Sequence, residues 1–452
     1  MTFEKHIDIT QTLADDDKRY LWHPFTQQQA WESESPVIIE RAEGSYLIDV
    51  AGNRYLDGVS SLWVNVHGHG RPEINQAIVE QLNRVAHSTF LGLSHPPGIT
   101  LARRLVELSP GQLNRVFYSD TGAAAVEIAL KMAYQYWRQC PTPQPNRTTF
   151  LTLRNSYHGD TVGAMSVGGI DLFFQIYQHL FFPTYKAHYD LNEIERMVIA
   201  HKDSLVAVVM EPLVQGAAGM LVYPSGFTRA IWEIAKRHDL LFIVDEVATG
   251  FGRTGTMFAC EHEGIEPDLM ALGKGISGGY LPLAATLATE RIYQAFLGQA
   301  HEFRTFYHGH TYTGNPVVCA AALASLDLFE QDQTLRHLQP KIAQLQEGLP
   351  HFWELPIVGD IRQCGFMVGI ELMQNRDTQA AFEIEQKAAI RVVKAARQRG
   401  VIVRPLGDVV ILMPPLSITA AELATLLDVV YASIAAVAQE LDTVSYQNRE
   451  EQ

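Results

Sequence analysis

Leu240-Leu-Phe-Ile-Val-Asp245-Glu246 and Asp268-Leu-Met-Ala-Leu-Gly273-Lys274-Gly275 are two apolar runs, each closed by an ionisable residue. Short apolar runs bounded by polar or glycine positions read as strands buried on both faces, as in a parallel sheet covered by helices. The pattern recurs on either side. Arg115–Ser119, Phe150–Leu153, Leu205–Met210 and Leu283–Ala288 read as further strands, and 123–138 and 226–237 as helices. This alternation, from about residue 98 onward, predicts an α/β fold with a mostly parallel central sheet and helices on both faces.

The flanks read differently. Val37–Arg41, Ser45–Val50 and Arg54–Asp57, with Ala51-Gly52-Asn53 as a turn, predict a small antiparallel meander. A helix over 314–331 leads out of the sheet region. Beyond it come a helix over 380–399 stopped by Gly400, and strands Val401–Arg404 and Val409–Met413 joined through Leu406-Gly407-Asp408. A last helix opens on Thr419-Ala-Ala-Glu422, the sequence of a capping box, and the polar tail from Asp442 is expected to fray. The organisation expected is a large domain over 76–335, with 1–75 and 336–452 forming the two parts of a smaller α+β domain.

With 452 residues, 47% of them hydrophobic, the chain can bury a large core. Its formal net charge of −15 and the lack of a basic block argue against nucleic acid as a partner and suit solubility. Cys140, Cys260, Cys319 and Cys364 are too scattered for a zinc site or a disulfide framework, so reduced thiols are expected. No apolar run reads as long enough to cross a bilayer, and the N-terminus lacks a signal core. The expectation is a cytoplasmic protein without membrane or metal.

Several segments carry chemistry. Asp120-Thr121-Gly122 joins a strand to the helix beginning at Ala123, where free N–H groups can hold an anion; an ordinary βα turn would read the same. Tyr157 follows the Phe150–Leu153 strand in Asn155-Ser-Tyr-His-Gly-Asp160, where ligands of open α/β sheets bind; a plain loop tyrosine would also fit. Gly250-Phe-Gly-Arg-Thr-Gly255 lacks the setting of a dinucleotide loop and reads as backbone shaping a site. His308-Gly-His310-Thr311 offers a phosphate-binding hydroxyl, whereas two histidines at that spacing make a poor metal site. Asp245 alone reads as a cap or ion-pair partner, and Lys274 alone as a loop lysine. Together they are the acid and amine that pyridoxal phosphate (PLP) chemistry needs, the acid at the ring nitrogen and the amine bonded to the carbonyl.

Ser119-Asp-Thr-Gly122, Tyr157-His-Gly159, Glu211-Pro212, Asp245-Glu-Val247, Gly273-Lys-Gly275 and Thr311-x-x-Gly-Asn-Pro316 occur in one order along the chain. In that order they resemble the class III PLP-dependent aminotransferases of fold type I, over roughly residues 15–440. Trp22-His-Pro-Phe-Thr26, Trp63, Val66-His-Gly68, Ala248-Thr-Gly-Phe-Gly-Arg-Thr-Gly255 and Arg404-Pro405 are most similar to one branch. That branch aminates 8-amino-7-oxononanoate to 7,8-diaminononanoate for biotin.

The resemblance implies that Lys274 bonds the cofactor and shuttles protons while Asp245 faces its ring nitrogen. It places Tyr157 on the ring and Gly122 and Ala123 on the phosphate through backbone N–H groups. Gly309, His310 and Thr311 would cross a homodimer interface, Thr311 to the phosphate. Arg404 would hold the keto acid's carboxylate, with Phe25, Leu62 and Trp63 lining the substrate site. Leu62 stands where many members using S-adenosylmethionine carry a second tryptophan, and Phe25 where a tyrosine is usual. A lysine-using branch is also similar, so lysine and S-adenosylmethionine are both expected donors. Ala217 and Ala218 follow Gln215-Gly216 where ω-amino-acid relatives place a glutamate, which weakens that alternative. A third alternative, a non-catalytic PLP-binding scaffold, is disfavoured by the intact Lys274 and Asp245.

Overall fold

The computed structural model describes the backbone of residues 3–450 and the side chains of residues 10–442. The expected meander is present as β1 (Ile39–Glu43), β2 (Tyr46–Asp49) and β3 (Arg54–Asp57). The central region supplies β4 (Leu113–Ser119), β5 (Thr149–Leu153), β6 (Thr184–Ala187) and β7 (Leu205–Met210). After a two-residue ribbon, β8 (Val214–Gln215) with β9 (Leu221–Val222), come β10 (Leu241–Asp245), β11 (Leu269–Leu272) and β12 (Ala284–Thr289). The C-terminal part adds β13 (Val358–Cys364), β14 (Met367–Leu372), β15 (Val401–Ile402), β16 (Arg404–Leu406) and β17 (Val409–Leu412).

Seven strands form the central sheet, in the order β4-β12-β11-β10-β7-β5-β6. β12 runs antiparallel to both neighbours, and every other pairing is parallel. The sheet is therefore mostly parallel, as expected. Every residue of β7, β10 and β11 is buried, because helices cover both faces. The parallel strands end on one edge, and the turns after β4, β5, β7, β10 and β11 lie side by side there. That edge is where an open sheet of this kind builds its site.

The chain ends meet. β15 pairs in parallel with β3, Val401 opposite Leu56, so a C-terminal strand completes the N-terminal meander. β13, β14, β17 and β16 form a separate antiparallel sheet. The expected strand Val401–Arg404 is thus split between two sheets.

Other departures have local causes. The helix expected from 380 starts at Ala388, because Ala380 instead forms an antiparallel bridge with Asn375. Residues 3–20, for which the sequence reading named no element, form a helix. The tail expected to fray continues as helix to Glu450. Contrary to the reading above, Ala420–Asp442 is long and apolar enough to cross a membrane by length and composition. In this fold one side of it is core: Leu423, Leu426, Val430 and Ile434 are buried, and the helix packs on Ala388–Gln398 and Thr334–Gly348.

The capping box forms as read. Glu422 N–H donates to Thr419 Oγ1 at 3.2 Å, and Thr419 N–H donates to Glu422 Oε2 at 2.9 Å. Thr419→Ala should therefore lower folding stability by about 1 kcal/mol in a denaturant titration. An unchanged midpoint would show that the cap contributes nothing.

Candidate active site

A cavity of about 440 Å³ opens at the carboxyl edge of the sheet, and its walls include Trp63, Gly122, Tyr157, Glu211, Asp245 and Lys274. Asp245 is the last residue of β10 and is buried. One carboxylate oxygen, Oδ2, lies 2.8 Å from His158 Nδ1, and the other accepts the Val247 N–H at 3.0 Å. Lys274 begins the 3₁₀ turn Lys274–Ser277 just past β11, with φ at 43°, a left-handed conformation unusual for a side-chain-bearing residue. Its Nζ stands 4.7 Å from the centre of the Trp63 ring. Burial lowers the Lys274 pKa, against the opposing pull of Asp245 and Glu211, and so favours the neutral amine a nucleophile needs.

Gly122 and Ala123 open the helix Gly122–Gln139, capped by Thr121 Oγ1, which accepts the Ala124 N–H at 3.2 Å. First-turn N–H groups have no acceptor within their own helix, so those of Gly122 and Ala123 are free to hold an anion. A Cβ on Gly122 would lie 2.6 Å from Val247 Cγ1. Tyr157 lines the same cavity, and its hydroxyl donates to Asp160 at 2.9 Å. Burial raises its pKa, so it remains a neutral phenol.

Trp63 sits on a strained loop: Ser60, Ser61 and Trp63 have φ of 53°, 61° and 64°. Its indole Nε1 is buried without a partner among the described residues. Leu62 is 48% exposed and stands outside the cavity lining. Phe25 is also absent from the cavity lining; its ring is 5.5 Å from Phe173, whose ring is 6.4 Å from Tyr157. Arg404, on β16, is half-buried near Tyr157 and makes no ion pair among the described residues. Gly309, His310 and Thr311 do not line this chain's own cavity; His310 Nδ1 instead lies 2.8 Å from Asp120 Oδ2.

Sequence reasoning gave no role to His158 and Glu211. Both are buried against the cavity, and their neighbours along the chain were the only signal. The glycine-rich loop Gly250–Gly255 stands outside the cavity lining. The fully buried Arg253 donates to Pro414 O and Asn65 O, each at 2.7 Å, tying three segments behind Lys274.

The family model for aminotransferase class-III matches residues 27–434. The chain belongs to that family. Its members are PLP-dependent, and the protein is a PLP-dependent aminotransferase of fold type I. The adenosylmethionine-8-amino-7-oxononanoate aminotransferase of Geobacter sulfurreducens is 51% identical, over 94% of this chain and 98% of its own. The crystal structure of the Methanocaldococcus jannaschii enzyme of the same name superposes with a TM-score of 0.91 at 47% identity, covering 94% of this chain and 98% of that one. An (S)-enantioselective omega-transaminase from Thermomicrobium roseum gives 0.89 at 35% identity, covering 94% and 98%.

The residues fit the cofactor. An acid stands at one strand end, a desolvated amine just past the next, and a helix N-terminus with free N–H groups beside a glycine cradle in which a Cβ would collide with Val247 or Ala123. Gly159, with φ at 115°, is part of that cradle; a Cβ there would lie 2.4 Å from the Ala123 Cβ. Gly159→Ala should weaken reconstitution of the cofactor-free protein with PLP by roughly tenfold or more, read by fluorescence titration. Unchanged affinity would remove Gly159 from the cradle.

Proposed function

We propose that the protein moves an amino group onto 8-amino-7-oxononanoate, giving 7,8-diaminononanoate for biotin synthesis. The relatives' names support this substrate. The observation that carries it is Arg404, a half-buried guanidinium beside Tyr157 with no carboxylate partner among the described residues. Such a group is matched to a substrate carboxylate, which its planar fork can hold through two bonds. Ala217 lines the cavity where a glutamate would otherwise mask such an arginine.

PLP would supply an electron sink for the charge left on the amino-bearing carbon. The chain's own groups do the rest. Asp245, braced by His158, would face the ring nitrogen and favour its protonated form. Gly122 and Ala123 N–H groups would hold the phosphate, and Tyr157 would pack against the ring. Lys274 Nζ would hold the resting cofactor and, once the donor amine has displaced it, would be the free base that takes the proton from the donor's amino-bearing carbon. In the second half-reaction Arg404 fixes the carboxylate end of the keto acid while Trp63 and Phe25 flank its methylene chain.

We further propose a cytoplasmic homodimer in which Gly309, His310 and Thr311 of one protomer reach the other's cofactor, with Thr311 on the phosphate. The large domain would span 76–335 and the small one 1–75 with 336–452. Two donors suit the site. S-adenosylmethionine is carried in the relatives' names, and lysine is the donor of the branch that the sequence resembles with Leu62 in place of a second indole.

Half-reactions with each donor, followed by loss of the cofactor's visible band, identify the donor. Addition of 8-amino-7-oxononanoate should restore that band. If only other carbonyl acceptors restore it, the ω-amine reading, favoured by the Thermomicrobium roseum neighbour, takes its place. Arg404→Ala should raise KM for the keto acid at least roughly tenfold with PLP affinity unchanged. The reverse pattern would remove the carboxylate role.

A further inference from the structure

Glu211 directly follows β7 and is 4% exposed, yet the steps above give it no task. Its two carboxyl oxygens accept two backbone N–H groups, Oε1 from Tyr157 at 3.2 Å and Oε2 from Gly216 at 3.0 Å. The first bond fixes the Ser156–Tyr157 peptide, which places Tyr157 on the cavity wall and leads directly into His158, which braces Asp245. The second fixes the turn that seats Trp63, since a Cβ on Gly216 would lie 3.2 Å from the Trp63 ring. One buried acid therefore links two walls of the site, Tyr157 and Trp63, to the segment that braces Asp245. His158 completes the link: Nδ1 is committed to Asp245, and Nε2 is buried without a partner among the described residues.

We propose that Glu211 is a positioning residue: it fixes His158 on Asp245, and the state of its own proton sets how firmly the site holds the proton of the bound cofactor. The proposal rests on the assignment of Asp245 to the cofactor's ring nitrogen and not on the identity of the keto acid. Two accepted N–H bonds suit the carboxylate form. Burial and the neighbouring Asp245 oppose it, burial most strongly, and the Glu211 pKa is pushed up to about 7 although His158 and the N–H bonds pull it down. The other titratable groups facing it are Lys274, Tyr189 and Tyr223. The two tyrosines are held neutral by burial.

The sign for stability follows. A carboxyl with a raised folded pKa contributes stability that is present below its ordinary range and lost as pH rises through about 7. In cofactor-free protein, the melting temperature of wild type should fall relative to Glu211→Gln as pH rises from 4.5 to about 7, and the difference should level off above that. In the holoenzyme, the pH midpoint of the bound PLP absorbance should drop by about one unit in Glu211→Gln, because a carboxylate favouring the protonated cofactor is gone. With His158→Asn present, Glu211→Gln should add little further shift; additive shifts would show that Glu211 acts without His158. A melting difference constant with pH, together with an unmoved absorbance midpoint, would reduce Glu211 to a structural tie and overturn the proposal. Should Glu211→Gln fail to fold, His158→Asn alone carries the test: its midpoint must fall as well, and an unchanged midpoint overturns the link. Failure of 8-amino-7-oxononanoate as a substrate would leave all of these readouts intact.

Discussion

The parallel pairing of β10 with β11 is the constraint on which the site depends. Asp245 sits opposite Ala271, and the Glu246 N–H donates to Ala271 O at 2.9 Å, so the two strands leave the sheet together. Lys274 comes three residues after Ala271, beyond a glycine, and turns back over the same edge. Acid and amine thereby meet one cavity from neighbouring strands. A slip of one residue in a strand would turn its side chains to the opposite face and bury Asp245 among the covering helices.

That edge concentrates costs the core must offset. Asp245, His158 and Glu211 are buried polar groups, and Arg253 is buried with only carbonyl oxygens as partners. Each is expensive to bury unless hydrogen-bonded, and removing one partner exposes the other to the full desolvation penalty. The Trp63 loop adds backbone strain at three positions. It is held by Asp57, which accepts the Ser61 N–H at 2.9 and 2.8 Å and is itself 2.9 Å from His69 Nε2. Strain kept in place by such a network is typical of a site shaped for a ligand.

Much of the fold was legible because its strands are apolar on both faces. β7, β10 and β11 are continuous apolar runs, and the helix after Thr121 and the Thr419 cap carry local signals. β6 escaped notice because Thr-Tyr-Lys-Ala has neither an apolar run nor alternation, and it sits at the sheet edge. β13 is a half-buried strand whose Asp, Arg and Gln hide its period. The union of β15 with β3 depends on a contact spanning most of the chain, which no local pattern encodes. The site divided in the same way. Lys274 and Asp245 close apolar runs and were readable. His158 and Glu211 gain meaning only from partners 87 and 54 residues away.

The central claim is that Lys274, and no other lysine, bonds the cofactor beside Asp245. Reduction of the PLP-loaded protein with borohydride would make that bond permanent, and peptide mapping by mass spectrometry would locate it. The mass of the reduced cofactor should appear on the peptide containing Lys274. Its appearance on a different lysine, with Lys274 unmodified, would contradict the account.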